Sequence, residues 1–285
     1  MAGLTPRLKA QSSVPPWGEI QAPDHWRCVD FISDLHLQAS EPVTFDAWRT
    51  YMQSTRADAM FILGDLFEVW VGDDIVAASA DDLDPSVSFE NQCAQVLQSA
   101  ADRLDIFFMH GNRDFLLGPA FAGNCRMTLL EDPTRLDFGG HRWLLSHGDA
   151  LCLADTDYMQ FRAQVRSAQW QQDFLGKPLT ERRTIALGLR QQSETRKRSG
   201  TVYADLDPQA SCEWLQAAQA QTLIHGHTHK PGQHDLGNGQ TRIVLSDWDT
   251  AAIPPRAEVV RLTRQPTHTV REAMVQRIPA TQARL

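Results

Sequence analysis

Two aspartates, an asparagine and four histidines fall in five short blocks along this chain: Asp34-Leu35-His36, Gly64-Asp65, Gly111-Asn112-Arg113-Asp114, His147-Gly148-Asp149 and Gly226-His227-Thr228-His229. Asp34, His36, Asp65, Asn112, His147, His227 and His229 are all oxygen or nitrogen donors. With no thiolate among them, the set suits borderline divalent cations such as Mn²⁺, Zn²⁺ or Fe²⁺. A pair of such ions about 3.5–4 Å apart can clamp a phosphoryl group and lower the pKa of a water enough to make it a nucleophile near neutral pH. A lone D-x-H or H-x-H is a weak signal, usually a satisfied polar pair, whereas five such blocks in succession are hard to obtain by accident. Hydrolysis of a phosphoester or phosphoanhydride is the chemistry these residues suit best.

Something must bring the blocks together. Each follows an apolar run that reads as a buried strand: CVDFIS, AMFIL, DIFFM, RWLLS and TLI. Loops at the carboxyl ends of strands are where α/β folds place ligands. On an extended strand end, Asp34 and His36, or His227 and His229, would point to one face through their i, i+2 spacing. Helical periodicity follows the first two strands, with Phe45, Trp48 and Met52 on one side and Val96, Leu97 and Leu104 on another. This β-α-β-α order predicts a mostly parallel sheet with helices on its faces. From Arg126 the runs RMTLL, TRLDF and HRWLLS, with turn signals at Asp132-Pro133 and Gly139-Gly140, predict antiparallel strands. Gly237-Asn238-Gly239 predicts a hairpin between QHDL and TRIVLS, and AEVVRL reads as a further strand. Of the remaining histidines, His225 is expected to face away from His227 or to support it, while His110, His141 and His234 are expected to be structural or exposed.

The composition is that of a globular protein, 42% hydrophobic and 22% charged over 285 residues. No apolar run approaches the roughly 20 residues that span a bilayer. The five cysteines are scattered without a C-x-x-C pair, which fits reduced thiols in a cytoplasm. A net charge of −8 argues against a general nucleic-acid binder. Residues 1–25 read as a leader without signal-peptide character, 26–265 as the working domain, and 266–285 as a polar tail. Between the fourth and fifth blocks, residues of about 155–200 form a helical insert. It mixes Phe161, Val165, Phe174, Leu175, Leu179, Ile185, Leu187 and Leu189 with a basic cluster of Arg182, Arg183, Arg190, Arg196, Lys197 and Arg198. Such a lid suits an acylated substrate and an anionic membrane surface; it equally suits an ordinary cap with one buried face.

The blocks D-x-H, G-D, G-N-R-D, H-G-D and G-H-x-H resemble those of the calcineurin-like metallophosphoesterase family, from about Cys28 to Asp249. The resemblance implies a four-layer α/β/β/α sandwich with an inserted helical lid. It also implies two divalent metal ions. Asp34, His36 and His229 would hold one, Asn112, His147 and His227 the other, and Asp65 would bridge. Many members carry histidine after the asparagine, a proton donor to a departing alkoxide. Arg113 remains charged and instead makes forked hydrogen bonds to phosphate oxygens. That favours a leaving group that is already a weak base, as in a pyrophosphate.

Three stretches narrow the resemblance: Gly64-Asp65-Leu66-Phe67-Glu68-Val69-Trp70-Val71-Gly72-Asp73-Asp74, then His147 to Cys152 with Asp155 and Tyr158, and Ile224 to Pro231. They are similar to the branch that cleaves a UDP-linked diacylglucosamine in lipid A synthesis. This implies Mn²⁺ as the metal, water attack at the α-phosphorus, and Asp65, Asn112 and Arg113 as catalytic residues. It further implies Arg113, Tyr158, Arg190, Ser193, Lys197 (or Arg196) and His229 as contacts to a nucleotide glycolipid. The expected protein is a monomer, peripheral on the cytoplasmic side of the inner membrane. The alternatives are a phosphodiesterase or nucleotide pyrophosphatase with a soluble substrate, and a non-catalytic metal-stabilised scaffold. Loss of ligands would mark the scaffold, and none is missing here.

Overall fold

The computed structural model describes residues 14–76, 89–198, 204–264 and 273–283, and the side chains of all of these except 192–198. Among the described residues, twelve strands form two six-stranded sheets. The first sheet holds β2 (Cys28–Ile32), β3 (Ala59–Leu63), β4 (Asp105–Met109), β5 (Met127–Leu130), β11 (Glu258–Arg264) and β12 (Ala273–Pro279), in the order β12-β11-β2-β3-β4-β5. The second holds β1 (Gly18–Gln21), β6 (Thr134–Phe138), β7 (His141–Ser146), β8 (Thr222–His225), β9 (Gly232–Gly237) and β10 (Gln240–Val244), in the order β1-β6-β7-β8-β10-β9.

The sheets pack face to face because alternate residues of each strand are apolar on the inner side. Phe31, Phe61 and Phe107 stack across β2, β3 and β4, with ring centroids 5.1 and 4.7 Å apart. They meet Leu136, Phe138, Trp143, Leu145, Ile224 and Ile243 of the second sheet in one continuous core. Helices α1 (Pro42–Ser54), α2 (Phe89–Ala100) and α3 (Pro119–Asn124) cover the outer face of the first sheet, burying Phe45, Trp48, Met52, Val96, Leu97 and Phe121. Each such aliphatic or aromatic burial contributes about 1.5–3 kcal/mol. On the far side Leu144 and Leu223 pack against Trp214 and Leu215 of α7 (Pro208–Ala217). Four layers result, helix, sheet, sheet, helix, as expected. The insert consists of α4 (Thr156–Val165), α5 (Ala168–Leu175) and α6 (Leu179–Arg198).

β2, β3 and β4 run parallel, as do β7 and β8, so the loops that follow them leave the carboxyl ends of both sheets. The β6–β7 and β9–β10 pairs are antiparallel as expected. Three expectations need correction. The MTLL segment is not antiparallel: β5 pairs parallel with β4, because α3 carries the chain back along the sheet. Gly18–Gln21, assigned to the leader, pairs in parallel with β6. Ala273–Pro279, assigned to the tail, is an antiparallel partner of β11 along its whole length. Both of the last two are edge strands joined through backbone hydrogen bonds; GEIQ is short, and AMVQRIP leaves Met274 and Val275 exposed rather than on a buried alternating face. No helix among the described residues is long and apolar enough to cross a membrane.

Candidate metal centre

The strands end before the polar residues begin. Asp34, His36, Asp65, His227 and His229 all have left-handed backbones, with φ of 54°, 50°, 53°, 67° and 52°. For residues with a Cβ this conformation costs roughly 1–2 kcal/mol each, and such strain gathers where geometry serves function. The side chains therefore converge through sharp local turns rather than through the alternation of an extended strand, which corrects the same-face reasoning. Bonds between the loops hold the turns. Asp34 N–H donates to Gly64 O (3.1 Å), His36 N–H to Asp65 O (3.0 Å), Trp248 N–H to Asp34 O (3.0 Å) and Gly226 N–H to His147 O (3.0 Å). Gly111 is required for a different reason, since a Cβ there would strike the Asp65 carboxylate.

Asp114 fastens two of the loops from beneath. Its buried carboxylate accepts from the backbone N–H groups of Gly111 (2.9 Å) and Asp65 (3.3 Å) with one oxygen, and of Leu66 (2.7 Å) and Phe67 (3.3 Å) with the other. Sequence reasoning gave it no role, although it closes the Gly111 block.

The seven expected donors lie together. Asp34, His36 and His229 each present a ligand atom within 4.8 Å of the others, and so do Asp34, Asp65 and His147. His36 Nε2 is 3.4 Å from His229 Nε2 and 3.9 Å from Asp65 Oδ2, and His229 Nε2 is 3.4 Å from Asp34 Oδ1. On the other side, Asn112 Oδ1 is 3.1 Å from His147 Nε2 and 2.9 Å from His227 Nδ1. Asp65 stands between the two groups, 3.8 Å from His147 Nε2.

His147 provides a test of whether a cation fits. Its Nδ1 lies 2.9 Å from the Leu63 carbonyl, which can only accept, so Nδ1 carries the proton. In the neutral ring the Nε2 lone pair then faces the oxygens of Asn112 and Asp65, acceptor against acceptor. Only a cation or a second proton relieves that confrontation, and backbone-anchored imidazoles of this kind are oriented ligands. The donor set fits divalent metal ions.

The same crowding governs protonation. Burial lowers the pKa of His147, but the carboxylates of Asp65, Asp149 and Asp34 outweigh it and bring it to about 9. Burial works against ionised Asp34, yet the imidazoles of His229, His147 and His36 hold its pKa well below the usual carboxylate range. Burial and the Asp65 charge push Asp114 up to about 7. His227 is lowered to about 4 by burial and by His147. His225 is fully buried, with Nδ1 2.8 Å from Gly226 O, and burial takes it to about 3. It is a neutral packing residue, outside the donor cluster, and His110 is tied to Leu117 O at 2.7 Å.

Around the donors lie groups that could meet a substrate. Arg113 donates its backbone N–H to Asp65 Oδ1 (2.8 Å), while its Nε is buried without a protein acceptor. An orphaned guanidinium donor beside the donor cluster is suited to a phosphate oxygen. The Tyr158 ring stacks on His227, 5.9 Å between centroids, and its hydroxyl donates to Asp149 Oδ2 (2.6 Å). Arg162 Nε also donates to that oxygen (2.8 Å), and Arg166 reaches Gly111 O (2.9 Å). Asp149 thus collects the first lid helix against the His147 loop. Arg190, on α6, is ion-paired with Glu68. Ser193, Arg196 and Lys197 fall in α6, but their side chains lie outside the described residues. Arg182 does not belong to an exposed basic cluster: it is 2% exposed and gripped by Asp74, Lys177 O and Val71 O. Helix spacing alone could not distinguish an anchor from a surface cation.

A calcineurin-like phosphoesterase domain matches residues 29–231, and the chain belongs to that family. It is also similar to proteins named UDP-2,3-diacylglucosamine hydrolase. That of Shewanella pealeana is 43% identical over 224 residues, 76% of this chain and 89% of the relative. That of Chromobacterium violaceum is 44% identical over 77% of this chain and 90% of the relative. The Klebsiella pneumoniae protein of the same name is 41% identical over 76% and 90%.

Proposed function

We propose that this chain hydrolyses the pyrophosphate bond of UDP-2,3-diacylglucosamine, releasing UMP and 2,3-diacylglucosamine 1-phosphate, a step of lipid A synthesis. The observation that carries the reading is the convergence of seven oxygen and nitrogen donors, with the unpartnered Arg113 Nε, at the carboxyl ends of two sheets. Relatives aligned over nine-tenths of their length and named for this substrate support the choice of substrate.

Asp34, His36 and His229 would hold one divalent cation and Asn112, His147 and His227 the other, with Asp65 shared between them. The donor set, free of sulfur, supports Mn²⁺. When bound, the pair supplies charge neutralisation on the phosphoryl oxygens and a water acidic enough to attack near neutral pH. The chain does the rest. Asp114 and Gly111 fix Asp65, and the Leu63 carbonyl fixes the tautomer of His147. Arg113 stabilises charge on the phosphoryl oxygens, where a fixed positive group contributes most. It provides no proton, and none is needed, because a departing sugar 1-phosphate is a weak base. Tyr158 and His229 line the approach, and Arg190, Ser193 and Lys197 are assigned to the sugar-phosphate side through α6.

The proposed working state is a monomer, peripheral on the cytoplasmic side of the inner membrane; the exposed Leu175, Leu187 and Arg183 of the lid support its contact with an anionic lipid surface. The test is to incubate Mn²⁺-reconstituted protein with UDP-2,3-diacylglucosamine in detergent micelles and follow products by mass spectrometry. UMP and the lipid phosphate are expected in equal amounts. Cleavage of soluble phosphodiesters with the glycolipid left intact would retain the metal centre and overturn the substrate.

A further inference from the structure

Glu68 follows the Gly64-Asp65 turn and is only 5% exposed. Its backbone N–H donates to Leu37 O (3.2 Å), beside the Leu37–Phe67 bridge, so it is held against the segment that carries His36. One carboxylate oxygen lies 2.8 Å from His36 Nδ1, although not aligned as a hydrogen bond. The other is ion-paired with Arg190 of α6. A carboxylate only accepts, so this contact favours the tautomer with the ring proton on Nδ1, which leaves the Nε2 lone pair on the side of His229 and Asp65. A buried carboxylate of this kind is costly without partners, and the two partners it has belong to different parts of the molecule.

We propose that Glu68 is a positioning residue shared by the metal centre and the lid: it sets the ligating face of His36 from the outer ring nitrogen while anchoring α6 through Arg190. This rests on the reading of the centre as a metal site. Outer-sphere carboxylates on ligating imidazoles orient the ring and raise its basicity, and their loss costs about 10–100-fold in metal affinity. Because the same carboxylate grips α6, its removal must loosen the lid as well. Asp74 offers a contrast, since it holds α6 through Arg182 without touching the donor cluster.

The experiment combines Mn²⁺ titration calorimetry of the full chain with hydrogen exchange across α6, for the wild type, Glu68→Gln and Asp74→Asn. Glu68→Gln is expected to weaken one of two Mn²⁺ positions by about 10–100-fold and to speed exchange around Arg190. Asp74→Asn is expected to speed exchange at the start of α6 while Mn²⁺ binds as in the wild type. Should Glu68→Gln fail to fold in the metal-free state, Arg190→Gln tests the lid half, with faster exchange in α6 expected and wild-type exchange contradicting it. Wild-type Mn²⁺ binding by folded Glu68→Gln overturns the inference, as does an equal loss of affinity in Asp74→Asn, which would assign the effect to lid seating. A wild-type chain that binds no Mn²⁺ overturns the metal reading itself, and this inference with it.

Discussion

Replacing Asp114 with alanine removes an acceptor that four backbone N–H groups share. Two of those contacts are short, Leu66 at 2.7 Å and Gly111 at 2.9 Å. Counting only these, with each buried donor left unmet costing about 1–3 kcal/mol, gives a loss of about 2–6 kcal/mol. One effect opposes it. Burial and the Asp65 charge make Asp114 unfavourable when ionised, with a pKa of about 7, so deleting it relieves a repulsion. Cations bound at Asp65 would already have reduced that repulsion, leaving less to relieve. Asp114→Ala is therefore expected to destabilise the Mn²⁺-loaded protein more than the metal-free protein. Urea unfolding in excess Mn²⁺ and in chelator measures both. By linkage, the stabilisation gained from a given Mn²⁺ concentration should be smaller in the variant. A variant within 0.5 kcal/mol of wild type in both states, a spread typical of ordinary surface substitutions, would refute the reasoning. So would a larger loss in the metal-free state.

Three further outcomes follow from the same geometry. Asn112→Ala removes the amide oxygen facing His147 and His227 and is expected to abolish turnover. Its thermal unfolding should stay near that of the wild type, and near-normal activity would contradict the two-ion arrangement. Arg113→Ala is expected to lower kcat by about 10²–10³, the scale for loss of one preorganised transition-state donor, as read in steady-state kinetics. For the metal-free protein the folded pKa of His147, about 9, exceeds its ordinary 6.5. The stability it contributes is complete below pH 6.5 and is lost as pH rises toward 9. Chelator-treated protein should show a falling urea midpoint across that window, and His147→Gln should flatten the fall.

Much of this was legible because two kinds of pattern repeat. The runs CVDFI, AMFIL and DIFFM are apolar almost throughout, as strands buried on both faces must be, and each is followed at once by a block of donors. That ordering, with RWLLS before His147 and TLI before His227 and His229, located all seven convergent residues. What the pattern could not carry was the manner of convergence. The left-handed backbones at Asp34, His36 and Asp65 have no marker in residue type, since such positions are ordinarily glycine or asparagine. Glu68 and Asp114 are carboxylates whose partners come from distant segments, and Asp149 ties its turn to the helix that follows, so only the tertiary structure shows what they hold. Arg182 illustrates the opposite error, a cation read as surface that is buried against Asp74. Strands β1 and β12 were missed because edge pairing is a backbone matter, and Gln276 or Glu19 has no need of an apolar face.

The central claim is that the donor cluster delivers water to the UDP side of the pyrophosphate. Hydrolysis of UDP-2,3-diacylglucosamine by the Mn²⁺-loaded protein in ¹⁸O water, with both products weighed by mass spectrometry, tests it most directly. The account predicts one ¹⁸O atom in UMP and none in the diacylglucosamine 1-phosphate. Label in the lipid phosphate would place attack on the other phosphorus and contradict the account.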